Sequence, residues 1–142
     1  MLFLCTGNSA RSVIAEALLK EMGGADFEAH SAGTHPKGIN PYTVRTLELA
    51  HFDTSELRSK GIGELEAQQF DYVVTVCDNA AEECPVFPGA PERIHWSFPD
   101  PAAVEGADAV KMLAFEETLR GMRRRLDLFI PVARRDVSRS AG

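Results

Sequence analysis

The chain has no excess of basic residues. Fifteen Lys and Arg stand against twenty-one Asp and Glu in 142 residues, a net charge of −6. A surface of that sign repels nucleic acid, so any bound anion must be held by a local site and not by a general basic face. No apolar stretch approaches the ~20 residues that cross a bilayer, and no secretory leader is recognisable. Cysteines are scarce and odd in number, three in all, which argues against a disulfide scaffold. Repeats and low-complexity segments are missing as well. These absences lead to the expectation of a cytoplasmic, reducing setting with no membrane or nucleic-acid partner, where a cysteine more often does chemistry than staples a fold.

What is present reads as one domain, residues 1–131, followed by a polar tail, 132–142, expected to fray. Strand and helix signals alternate. Leu2 to Cys5 is apolar and short, and Val13 to Met22 carries Ile14, Leu18 and Met22 at helical spacing before Gly23-Gly24 stops it. Phe27 to Ser31 reads as a second strand running into Ala32-Gly33. Asn40-Pro41 is a cap-then-proline helix start with Val44 and Leu47 inward. Tyr72 to Val76 is β-branched and nearly continuous, which predicts a central buried strand. Asn79 with Glu82 forms a capping-box pattern, and Ile94 to Trp96 predicts a fourth strand. From Asp108 to Ile130, Met112, Phe115, Leu119, Met122, Leu126 and Phe129 make one packing stripe. Arg120, Arg123, Arg124 and Arg125 fall largely off it. The pattern predicts an α/β fold: a three-layer sandwich with a four-stranded parallel sheet, helices on both faces, and a site at the carboxyl ends of the strands.

Residues 5 to 12 read Cys-Thr-Gly-Asn-Ser-Ala-Arg-Ser between the first strand and the first helix. A strand, a tight small-residue loop and a helix N-terminus build a pocket for a tetrahedral oxyanion: loop N–H groups and the helix dipole point inward, and an arginine closes the ring with a bidentate fork. The same field stabilises a thiolate in reach of the anion. Cys5 reads as the nucleophile and Arg11 as the oxyanion and transition-state binder. Ser12 is a donor to the Cys5 sulfur. Thr6, Gly7, Asn8, Ser9 and Ala10 line the loop, where Gly7 and Asn8 tolerate unusual backbone angles. A lone cysteine at a strand end is ordinarily packing; the residues that follow Cys5 argue against that here.

This loop resembles the phosphate loop of the low-molecular-weight protein tyrosine phosphatase superfamily, and most closely that of the arsenate reductases sharing its fold. The resemblance runs from Leu2 to about Pro131 and includes Ser31-Ala-Gly33, the Cys77 and Cys84 pair, and His95-Trp96 leading to Asp100-Pro101. It implies the phosphotyrosine protein phosphatase I-like fold and a role for Asp100 as general acid; an Asp-Pro pair alone is more often a turn. Asp78 and Asp53 have no such support and read as a cap and a surface charge. A phosphatase needs one cysteine, so Cys77 and Cys84 favour a reductase. They lack the spacing of a zinc site, and neither a metal nor a bound cofactor is expected.

The implied reaction is arsenate reduction by a relay. Cys5 attacks arsenate, Cys77 attacks Cys5 to release arsenite, and Cys84 moves the disulfide to Cys77–Cys84. An external thiol reductant then opens it: thioredoxin by default, with glutaredoxin or a low-molecular-weight thiol as alternatives. Phosphate and sulfate are expected analogues. The alternative is a phosphatase acting on phosphomonoesters through a phosphocysteine at Cys5. Against it, Ala102-Ala103 follow the Asp-Pro where phosphatases of this family commonly place aromatics to grip a phosphotyrosine ring. A non-catalytic oxyanion-binding module is a third reading, opposed by the intact set of Cys5, Arg11 and Asp100. An all-helical path from Cys77 to Cys84 would hold their Cα atoms about 10.5 Å apart at ~1.5 Å per residue, beyond the ~7 Å a disulfide tolerates. The segment from Asn79 to Cys84 is therefore expected to unwind or loop out on oxidation.

Two departures from the resemblance stand out. Ala10 occupies a position where many relatives carry a second loop cysteine, so no backup disulfide can form there. Some of the reductases bind potassium near the loop through an asparagine, a glutamate, a serine and an aspartate. Asn8, Glu16 and Ser31 match the first three, but Arg58-Ser59-Lys60 occupies the region of the fourth. The Lys60 ammonium is expected to stand in for the metal ion.

Overall fold

Leu2–Cys5 forms β1, with every side chain buried. An unbroken apolar run suits the centre of a parallel sheet, where neither face meets water. The sheet order is β2-β1-β3-β4, with β2 at His30–Gly33, β3 at Tyr72–Thr75 and β4 at Glu92–His95. All pairings are parallel, and Leu2 faces both His30 and Val73 across its two neighbours. The structure is a computed structural model. It describes residues 1–77, 80, 82, 84, 87–89 and 91–141, the last five of these as backbone only. Asn79 of the expected capping box, and half of the segment expected to unwind or loop out, lie outside the described residues.

Helix α1 spans Arg11–Gly23, α2 Pro41–Leu49 and α3 Asp108–Ala141. Helices α1 and α3 pack on each other, and α2 packs on α3. Alternation along the strands puts Phe3 and Tyr72 on one sheet face. There Trp96 meets Phe3 and Phe129, and Phe129 also stands edge-on to Tyr72 at 5.1 Å. On the opposite face His30 lies edge-on to Phe70, which in turn meets Phe87. Asn40 caps α2 as its sequence predicts, accepting from Tyr42 N at 2.9 Å. No helix among the described residues is long and apolar enough to cross a membrane.

Three boundaries differ from the sequence expectation. Strand β2 begins at His30 and not at Phe27, because a 3-10 turn over Gly24–Asp26 holds Phe27 and the register first places a partner opposite His30. Strand β4 begins at Glu92, on an exposed edge without an apolar signal. The largest difference is α3, which continues through Pro131 to Ala141 where a stop was expected. Proline inside a helix removes a hydrogen bond and crowds the preceding turn, at a cost of ~3 kcal/mol. Tertiary contacts oppose that cost. Ile130 and Ala133 are buried, Arg134 pairs with Asp26 at 3.0 Å and lies over the Phe27 ring, and the Tyr72 hydroxyl donates to Asp136 at 3.1 Å.

Candidate active site

The loop between β1 and α1 is shaped by where its carbonyls go. Those of Cys5, Thr6, Gly7 and Ser9 accept from Thr34, His35, Lys37 and Asn40 at 2.8 to 3.1 Å. Thr43 Oγ1 also donates to Ser9 O at 2.7 Å. With the carbonyls drawn outward, the loop N–H groups are turned toward the cleft. Helix α1 starts at Arg11 behind Ala10 with no side-chain cap, so its first-turn N–H groups remain available to an anion. Gly33 lets the loop approach this closely: a Cβ there would lie 2.6 Å from Thr6 O and 2.9 Å from Asn8 N.

Asn8 is the buried pivot. It adopts φ of 45°, and its amide donates to Ser12 Oγ at 2.8 Å and Ser31 Oγ at 2.9 Å. Its Oδ1 accepts from Lys60 N at 2.9 Å. Ser12 Oγ lies 2.8 Å from Cys5 Sγ. That hydroxyl accepts from Asn8 and keeps its own proton available to the sulfur. Asn8 N adds a second donor to Cys5 Sγ at 3.2 Å.

The cleft above Cys5 has a volume of about 180 Å³ and is lined by Cys5, Thr6, Gly7, Ser9, Ala10, Arg11, Lys37 and Asp100. Every loop residue expected to line it does so except Asn8, which lies beneath the loop. Arg11 donates to Phe98 O at 3.0 Å, and its second terminal nitrogen stands 4.0 Å from Asp100. Asp100 is half-exposed and accepts from Ala102 N at 2.9 Å, capping the turn that follows. A larger cavity of about 390 Å³ opens near Met1, Phe27 and Tyr72, at the amino-terminal ends of the strands. It contains no cysteine, and the chemistry of parallel sheets sits at the opposite, carboxyl-terminal edge.

Cys77 lies just past β3. Since Leu4 pairs with Thr75, continuing the register brings Cys77 alongside Thr6, and Thr6 Oγ1 is 3.3 Å from Cys77 Sγ. Cys84 lies elsewhere: it is half-buried in a cleft with Val73, Thr75, Arg93, Ile94 and His95. Burial pushes its thiol up, and the charge of Arg93 opposes that shift. All three cysteines are free thiols. The structure thus brings Cys5, Arg11, Ser12, Asp100 and Cys77 to one loop and leaves Cys84 on the β3–β4 face.

A family profile described as low molecular weight phosphotyrosine protein phosphatase matches residues 1–138. The chain belongs to this family. Within the low-molecular-weight phosphatases it is similar to an arsenate reductase of Halalkalibacterium halodurans, 40% identical over 127 residues that cover 89% of this chain and 91% of the relative. Among solved structures it resembles an arsenate reductase of Archaeoglobus fulgidus at 26% identity and a TM-score of 0.74, covering 92% of this chain and 98% of the other. It also resembles a thioredoxin-dependent arsenate reductase of Corynebacterium glutamicum at 28% identity and a TM-score of 0.63, covering 93% of this chain and 61% of that one.

Lys60, Lys20 and Lys37 stand around this loop. Lys60 Nζ stands 3.6 Å from the carboxylate of buried Glu16 and 3.3 Å from Arg58 O, while Lys20 reaches the other Glu16 oxygen at 3.5 Å. The Lys60 ammonium thus faces Glu16, while its backbone N–H meets Asn8. Lys37 went unnoticed in the sequence, where nothing in its spacing marks it. Its stem lies against Gly7, and its side chain joins Arg11 as a second cation lining the cleft.

Proposed function

We propose that the protein reduces arsenate to arsenite, with Cys5 as nucleophile and Cys77 and Cys84 as a disulfide shuttle. The observation that carries this reading is the position of Cys77, whose sulfur touches Thr6, the residue next to Cys5. Cys5 Sγ attacks arsenic, and one As–O bond breaks with its oxygen protonated by Asp100. Cys77 then attacks Cys5 Sγ. The S–As electron pair goes to arsenic, which leaves as arsenite, and a Cys5–Cys77 disulfide remains. Cys84 attacks Cys77 Sγ, Cys5 departs as thiolate, and the disulfide passes to Cys77–Cys84. An external dithiol reduces it, releasing two thiols.

Loop N–H groups, Arg11 and Lys37 would hold the oxyanion. Fixed donors of this kind are worth roughly 10²- to 10³-fold in rate each. The names of the similar proteins support arsenate as substrate, and the Corynebacterium glutamicum relative supports thioredoxin as donor. This reading requires no bound cofactor, and it suits a reducing cytoplasm. Phosphomonoester hydrolysis by the same Cys5, Arg11 and Asp100 is the competing reading, and Ala102-Ala103 at the rim give an aryl ring little to stack on. Arsenate turnover with thioredoxin and glutaredoxin systems, repeated for Cys77→Ser and Cys84→Ser, separates the two. Full arsenate turnover in both variants would remove the relay, and no arsenate turnover by the parent protein with either donor would favour the phosphatase.

A further inference from the structure

The relay asks Cys84 to act as a nucleophile from a half-buried position, and burial alone works against a thiolate. The cleft around it contains an answer. Val73 pairs with Arg93 and Thr75 with His95, so these four side chains share one face of the β3–β4 pair. Cys84 lies against that face, in a cleft of about 170 Å³. Arg93 and His95 are the charged and titratable side chains lining it. His95 is engaged by Thr75, whose Oγ1 lies 2.7 Å from His95 Nδ1. Arg93 is the residue whose charge acts on the Cys84 thiol, against its burial. It projects from an exposed edge strand, where packing alone does not require an arginine.

We propose that Arg93 is a positioning residue for Cys84, its guanidinium favouring the thiolate of the resolving cysteine on the β3–β4 face against the burial of that thiol. The inference rests on the relay reading for its role in turnover. In that step the Cys84 thiolate bonds to Cys77 Sγ, the Cys5–Cys77 bond breaks, and Cys5 takes the electron pair. Arg93 exchanges no atoms or electrons with either sulfur. It stabilises the attacking anion before the bond forms, where a neutral thiol is far less nucleophilic. The same charge also favours the reduced form of a Cys77–Cys84 disulfide, easing its opening by an external dithiol.

The test uses Cys5→Ser/Cys77→Ser protein, in which Cys84 is the remaining cysteine, and follows its alkylation by iodoacetamide against pH. Arg93 lines the same cleft as Cys84, and a neighbouring opposite charge moves a thiol's titration by about one unit. Arg93→Gln is therefore expected to shift the rate profile to higher pH and to slow alkylation roughly tenfold near pH 7.5. Arg93→Lys should restore most of the rate, and His95→Gln should leave the midpoint in place. An unchanged profile in Arg93→Gln, or a shift that follows His95 instead, overturns the proposal. This readout needs no arsenate. If Cys84→Ser retained full turnover, the relay would fail while the alkylation profile still judged Arg93.

Discussion

Thr6 Oγ1 and Cys77 Sγ lie 3.3 Å apart across 71 positions of sequence. The contact ties the residue after Cys5 to the thiol that would resolve it in the proposed relay, and it follows from the parallel pairing of β1 with β3. One hydroxyl can thus orient the second thiol without touching the first.

Thr6→Val separates the two steps. A hydrogen bond contributes about 0.5–1.5 kcal/mol net, and ~1.4 kcal/mol is tenfold in rate. Arsenite release in a single turnover is expected to slow by roughly 2- to 10-fold, while alkylation of Cys5 stays within about twofold of the parent. Equal slowing of both would place the hydroxyl's effect on the loop as a whole.

Gly33→Ala tests the close approach of β2 to the loop. The added Cβ meets backbone at 2.6 and 2.9 Å, which a side-chain rotation cannot relieve. Overpacking of this kind costs about 1–3 kcal/mol. Urea denaturation should show that loss, and arsenate turnover should fall with it because Thr6 and Asn8 are displaced. Unaltered stability and turnover would mean the loop has slack.

The Lys60 ammonium, 3.6 Å from Glu16, is expected to make an added cation redundant. Exchanging sodium for potassium at constant ionic strength is expected to change arsenate turnover by less than about twofold. Lys60→Met removes one partner of a buried pair, a change that costs about 3 kcal/mol or more when no other partner remains. Lys20 still stands 3.5 Å from Glu16 and moderates the loss. Strong activation of the parent protein by potassium would contradict this arrangement.

Asp108, at the start of α3, accepts hydrogen bonds from the Tyr42 hydroxyl and from Arg45, and these hold its carboxyl below the ordinary carboxylate range. A carboxyl with a lower value folded than unfolded adds stability above its unfolded value, near pH ~4, and loses it as pH falls through the folded one. Asp108→Asn should lower the Tm slightly at pH 7, and the two proteins should converge as the pH drops below about 3. A difference that persists undiminished in acid would point to packing instead, such as the stack of Tyr42 on Phe115.

The sequence by itself determined what is built from neighbours along the chain. The Cys5 to Ser12 loop, the Asn40-Pro41 helix start and the unbroken apolar character of β1 and β3 depend on turn chemistry, capping and burial that act over a few residues. The strand edges were less legible, because β4 starts on exposed residues and β2 starts where β1 offers it a partner. Tertiary structure alone decided the rest. Asn8 is oriented from Lys60, the second cleft cation comes from Lys37, and α3 outlasts Pro131 because Arg134 and Asp136 find partners near the strand starts. Cys77 reaches Thr6 through strand register, and Cys84 shares a cleft with Arg93; spacing along the chain encodes neither. Hydrogen-bond and charge partners act through space over a few ångströms, so partners far apart in sequence are fixed only once the sheet has set its register.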